Sequence, residues 1–131
     1  MRQGIKSLLG PKLLLGIAIS YTLLITAALL TPITGAPKIE IPFADKMVHL
    51  IINAGLFVVW ASYVFSGKTK TTKTYTLPLL FLCTLLYGIL IEVVQGSFIP
   101  TRGADFFDVV ANVCGLILGF FAVKLTKKFI Y

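Results

Sequence analysis

The chain has 131 residues, 57% of them hydrophobic and only 13% charged, with a mean hydropathy of +0.94. That balance is far outside the range of a soluble domain and assigns nearly the whole chain to lipid. The net charge of +7 comes from basic residues spread over short flanks of apolar segments, without interleaved aromatics, and fits anionic lipid headgroups better than nucleic acid.

A bilayer core of roughly 30 Å needs about 20 helical residues to cross it. Four uncharged or nearly uncharged stretches meet that length. The first, 13–30, lies between Pro11 and Pro32. Basic residues precede it and Thr34-Gly35-Ala36 loosely resembles a cleavage site, but its long apolar core and Pro37 favour an uncleaved first helix. The second, 47–65, carries His49 and Asn53; the third, 75–95, has one charge, Glu92, near its end; the fourth, 106–123, has Asp108 and Asn112 in its first two turns. The expected fold is therefore an all-α membrane protein: one transmembrane domain over residues 1–131, an antiparallel bundle of four helices.

Short loops rich in lysine and arginine stay in the cytoplasm. Arg2, Lys6 and Lys12, then Lys68, Lys70 and Lys73, then Lys124, Lys127 and Lys128 make nine of the twelve basic residues on one side; Lys38, Lys46 and Arg102 are on the other. Both termini are thus expected to be cytoplasmic, with the loops around 31–46 and 97–105 facing outward. Tyr75, Phe129 and Tyr131 suit an interfacial belt. Cys83 and Cys114 differ in depth and lack CxxC spacing, so they read as small packing residues rather than a disulfide or a metal signature. No repeat, glycine-rich phosphate loop, GxSxG elbow or HExxH is present.

Charged groups near hydrocarbon persist when paired, hydrated or used. Asp45, Glu92, Asp105 and Asp108, four of the five acidic residues, gather with the only histidine at the outward ends of these segments. Helical spacing sorts them into faces. Asp45, His49 and Asn53 share a stripe on the second helix, where Asp45 is a candidate N-cap. Gly88, Glu92 and Gln95 share one on the third, where Glu92 lies too far below the helix end to reach water freely; it needs a partner or a proton, and an ion pair with Arg102 would supply one. Asp105, Asp108, Asn112, Gly115 and Gly119 share one on the fourth, with Asp105 a second candidate cap and the two glycines a close-packing seam. Measured from the outer ends, His49, Glu92 and Asp108 fall within one layer roughly 4 to 8 Å deep at about 1.5 Å per residue. That agreement points to a shared site more than to scattered charges.

The patterns Asp45-Lys46-x-x-His49, Glu92-x-x-Gln95 and Arg102-x-x-Asp105-x-x-Asp108-x-x-x-Asn112-x-x-Gly115 resemble the VanZ-like membrane proteins, in that family's order, over roughly residues 45 to 119. Leu50, where the family often has an aromatic, and Asn53, where an apolar residue is expected, depart from it. The resemblance implies a small multi-pass protein of the bacterial inner membrane, in a family named for a member linked to resistance against teicoplanin-type glycopeptides.

Three readings stay open. A lipid-borne or cell-envelope ligand, such as a lipid-linked precursor or a glycopeptide, could be held by Arg102 and Lys46, with Asp45, Gln95, Asp105 and Asn112 completing the lining; its catalytic version uses Glu92 or His49 as general base or acid, with Asp108 orienting the imidazole. Alternatively, His49, Glu92, Asp105 and Asp108 offer nitrogen and oxygen ligands to zinc or manganese, although no cofactor is required by the pattern. The third reading is structural, with the charges pinning helix ends together in a protein that acts as an interaction partner in the envelope.

Overall fold

The computed structural model describes residues 10–32, 41, 43–66 and 74–130. Four helices make up the fold: α1 (Pro11–Leu30), α2 (Ala44–Ser66), α3 (Thr76–Phe98) and α4 (Phe106–Ile130). All four are long and apolar enough to cross a membrane. There is no strand among the described residues. The flanks with Arg2, Lys6, Lys38, Lys68, Lys70, Lys73 and Tyr131, and the Thr34-Gly35-Ala36-Pro37 stretch, lie outside the described residues.

The helices overrun the expected limits where the sequence turns polar. α2 starts at Ala44, so Asp45 lies in its first turn and is not its N-cap. The Phe43 carbonyl opens the helix by accepting the Met47 amide, and Phe43 itself takes a left-handed backbone angle, φ 64°. α3 continues to Phe98 and α4 to Ile130, because backbone hydrogen bonding carries each helix through the polar residues that follow its uncharged stretch.

Side-chain pairings give the topology. Lys46 reaches Asp105 and Asp108, His49 reaches Asn112, and Phe57 meets Phe120, so α2 and α4 run parallel. On α3, Glu92 lies by His49 and Phe81 by Phe57, which makes α3 antiparallel to both. Thr26 pairs with Tyr87 and Gln95 with the Leu29 carbonyl, so α1 runs with α3. The bundle is up-down-up-down, and α1 packs on α2 and α3 without touching α4.

Burial in lipid gives apolar helices no reason to prefer one another, so close backbone approach and interhelical hydrogen bonds hold the bundle. The tightest approach is between α2 and α4. A Cβ at Gly115 would run into the Leu50 backbone, and one at Gly119 would come within 2.8 Å of the Ala54 carbonyl oxygen. Below that seam Phe57, Ala61 and Leu116 form a fully buried core, with the Phe57, Phe81 and Phe120 rings in edge and tilted contact. α1 is tied on by polar contacts: Tyr21 donates to the Ile52 carbonyl (2.9 Å) and the Trp60 indole to the Thr22 hydroxyl (3.0 Å). Cys83 and Cys114 are free and exposed on the outer surface of the bundle, so they do not pack its interior.

Gly115→Ala is expected to lower stability by about 1–3 kcal/mol, the usual range for overpacking, because backbone must move to admit the methyl. Gly16→Ala, with open space around its Cα, should be neutral or slightly stabilising. Thermal unfolding in detergent compares the two.

Candidate functional site

The end of the bundle beyond the seam is polar and closed. His49, Asn53, Glu92, Gln95, Asp108 and Asn112 are all buried there. The stripes expected on α2, α3 and α4 therefore converge, and Glu92 lies about 9 Å below the end of α3.

A chain of hydrogen bonds fixes the histidine ring. Asn53 Nδ2 donates to the His49 backbone carbonyl (2.9 Å), which can only accept, and this identifies that atom as the amide nitrogen. The same nitrogen donates to Asn112 at 2.7 Å, so the Asn112 atom it meets is the oxygen, Oδ1. Asn112 Oδ1 in turn lies 3.1 Å from His49 Nδ1, which must therefore carry the hydrogen. In the neutral ring the lone pair is then on Nε2. Asn53, which the family pattern marks only as a departure, is thus the residue that sets the tautomer. The signal was present in its position four residues after His49 on the same face. Gly88 makes room for this pair: a Cβ there would stand 3.2 Å from Asn112 Nδ2 and 3.5 Å from Asn53 Oδ1.

The two ring nitrogens face different groups. Nδ1 lies 3.3 Å from Glu92 Oε1, outside hydrogen-bond geometry. Nε2 lies 3.9 Å from both Asp45 Oδ1 and Asp108 Oδ2, too far for a hydrogen bond to either. Asp108 thus does not hold the imidazole in place; Asn112 does. Lys46 occupies the other oxygen of Asp108, with Nζ 3.2 Å from Oδ1, and it bonds Asp105 Oδ2 at 2.8 Å. The second oxygen of Asp105 accepts the Phe107 amide (2.9 Å) and so caps α4. The Lys46 hydrogen bond, with that amide, holds the Asp105 carboxyl below the usual carboxylate range.

Glu92 and Arg102 do not pair. Both oxygens of Glu92 are buried without a hydrogen-bond partner, although the Asp105 backbone amide faces the carboxylate. Arg102 lies in the turn after α3, where its amide donates to the Ile99 carbonyl (3.0 Å), and its Nε is buried and unpartnered. Gln95 turns instead to α1 and donates to the Leu29 carbonyl at 2.7 Å, closing the C-terminal end of that helix. As a candidate metal cluster the structure groups Asp45, His49 and Asp108 in place of the set His49, Glu92, Asp105 and Asp108. Asp105 is turned to Lys46, and Glu92 is on the opposite side of the ring.

Residues 12–127 match the family model described as VanZ/LLP1. The chain belongs to the VanZ/LLP1 family. It is also similar to an uncharacterised protein of the fission yeast Schizosaccharomyces pombe, with 33% identity over 102 residues, which is 78% of this chain and 58% of that protein. The chain thus spans little more than half the length of this curated relative. No solved structure matches. The shared VanZ/LLP1 region takes in the entire polar end, from α2 to α4, together with α1.

Leaving a buried carboxylate without donors is costly, about 1–3 kcal/mol or more when charged. Glu92→Gln is therefore expected to hold or raise the midpoint of thermal unfolding in detergent. A purely structural ion pair with His49 would instead make that variant less stable than the wild type, by several degrees.

Proposed function

We propose that the polar end of this VanZ/LLP1 protein is a binding site for the phosphate-bearing headgroup of a membrane lipid or lipid-linked envelope molecule, held by Arg102. The observation that carries this reading is the state of the two cations: Lys46 is committed to Asp105 and Asp108, whereas Arg102 presents a buried, unpartnered Nε. A guanidinium N–H hidden from water gains most from a charged oxygen acceptor, and phosphate matches its planar fork.

The surroundings support a ligand that arrives within the bilayer. Phe43, Phe98, Phe106 and Phe107 all stand exposed at this end, 63–79% accessible, where aromatic rings favour the headgroup level. A site at that depth meets lipid headgroups before it meets solutes. The lysine and arginine distribution reads this end as extracytoplasmic and, with the resemblance, the compartment as a bacterial cytoplasmic membrane. A relative in fission yeast favours a ligand common to bacterial and eukaryotic membranes, a phospholipid headgroup, over a glycopeptide or a precursor confined to the bacterial envelope. Resistance to teicoplanin-type antibiotics would then follow from what the site does to the membrane around it.

The test is native mass spectrometry of the protein extracted with its own lipids. A phosphate-bearing lipid should remain on the wild type and fall at least about tenfold in Arg102→Glu, a loss of roughly 1.4 kcal/mol or more in binding. Equal lipid retention by the charge-reversed variant would defeat the proposal.

A further inference from the structure

The side of His49 that faces away from Glu92 has a composition of its own. Asp45, His49 and Asp108 each offer one ligand atom there, and these atoms lie within 4.8 Å of one another. Two ligands of one zinc or manganese ion, each about 2.0–2.2 Å from it, stand roughly 3–4 Å apart. Nε2 meets that spacing with both carboxylates, at 3.9 Å, and the two carboxylates lie within 4.8 Å of each other, close enough to draw in around one ion.

The tautomer lock orients the free nitrogen of the ring. With the hydrogen on Nδ1, the neutral ring turns its lone pair toward two carboxylates, an arrangement of mutual repulsion unless a cation lies between them. Both carboxylates stand 3.9 Å from Nε2, beyond hydrogen-bond distance and equally placed about the ring nitrogen. Lys46 uses only Oδ1 of Asp108 and leaves Oδ2 on the His49 side.

The second, independent observation is Glu92. It is 97% buried, neither of its oxygens has a hydrogen-bond partner, and Oε1 is directed at Nδ1 from 3.3 Å. A histidine that ligates a metal through one nitrogen commonly gives the N–H of the other to a carboxylate, which fixes the ring and makes it a stronger ligand. A buried carboxylate, faced besides only by the Asp105 backbone amide, stands where that support belongs. Among the described residues, the polar end gathers four carboxyl groups, from Asp45, Glu92, Asp105 and Asp108, against the permanent cations of Lys46 and Arg102, a surplus of acidic groups that suits a divalent cation.

We infer that His49 Nε2 and the carboxylates of Asp45 and Asp108 form a site for one divalent transition-metal ion, zinc or manganese, with Glu92 as the carboxylate that orients and strengthens the imidazole. One nitrogen and two oxygens suit borderline zinc and the harder, oxygen-preferring manganese. Asp45, with its side chain 61% exposed, gives the ion its way in from water. The inference does not rest on the headgroup reading, since it uses neither Arg102 nor any lipid.

The test uses the full chain, purified with a histidine-free tag and without chelators, analysed for bound metal and then stripped and titrated separately with Zn²⁺ and Mn²⁺. About one equivalent of one of these ions per chain is expected. Asp45→Asn, at an exposed position that leaves the packing intact, should weaken binding at least about tenfold. Glu92→Gln should weaken it about 10–100-fold while touching no ion. A wild-type protein with a cooperative thermal transition that takes up neither ion stoichiometrically would overturn the inference. So would equal affinity in the wild type and Asp45→Asn, whatever the folding state of a His49 variant.

Discussion

The close parallel approach of α2 and α4 is the constraint on which the rest of the molecule depends. Only glycine at 115 and 119 lets the α4 backbone lie against the Leu50 and Ala54 carbonyls. That distance in turn sets the reach of every side chain above the seam: Lys46 spans to Asp105 and Asp108, and His49 and Asn53 both touch Asn112. Without the glycines the helices would stand a side chain further apart, and the same polar residues would face a gap too wide to bridge. The packing seam and the polar site are one device, in which small residues at mid-membrane position charged residues near its surface.

Hydrocarbon imposes a second rule, that each polar group finds its partner inside the bundle. Most of this protein obeys it. Thr22, Thr26 and Thr84 return their hydroxyls to carbonyls in their own helices, Tyr21 and Trp60 cross to a neighbour, and Gln95 serves the C-terminal end of α1. Among the described residues, the buried side-chain atoms that break the rule are Asn53 Oδ1, both oxygens of Glu92 and Arg102 Nε. They belong to the polar end. A bundle that satisfies its mid-membrane polar groups so fully, and leaves exceptions there, carries its strain where a ligand can relieve it.

How much of this was legible beforehand follows from what helical periodicity encodes. It reports which residues share a face, so the stripes Asp45-His49-Asn53 and Asp105-Asp108-Asn112, and the common depth of His49, Glu92 and Asp108, could be read directly. Periodicity does not report partners. An ion pair between Glu92 and Arg102 was reasonable by charge, but the turn at Ile99 to Asp105 carries Arg102 away from it and α2 supplies His49 instead. The bond from Gln95 was invisible because its acceptor is the Leu29 backbone, which has no sequence signature. The exposure of Cys83 and Cys114 was equally hidden, since a lipid-facing position and an interior one are both apolar in a membrane helix. Asn53 departs from the family pattern, yet its spacing of four from His49 already put it on the same stripe.

The two ligand chemistries argued for the polar end are complementary. Carboxylates in excess at the edge of a low-dielectric slab raise the potential cost of binding any anion nearby, so a phosphate headgroup and an uncompensated Asp45-Asp108 pair would oppose each other. A divalent ion between those carboxylates and His49 removes that opposition, and its remaining coordination positions accept oxygen donors. Arg102 contributes cationic character from the turn after α3, the metal ligands from α2 and α4, and Glu92 supports the ligand ring from α3. Each helix of the polar end then has a charge-related reason for its position, while α1, which carries no acidic residue, closes the bundle through hydroxyl, indole and amide contacts and its buried Ala18, Ile25 and Leu29.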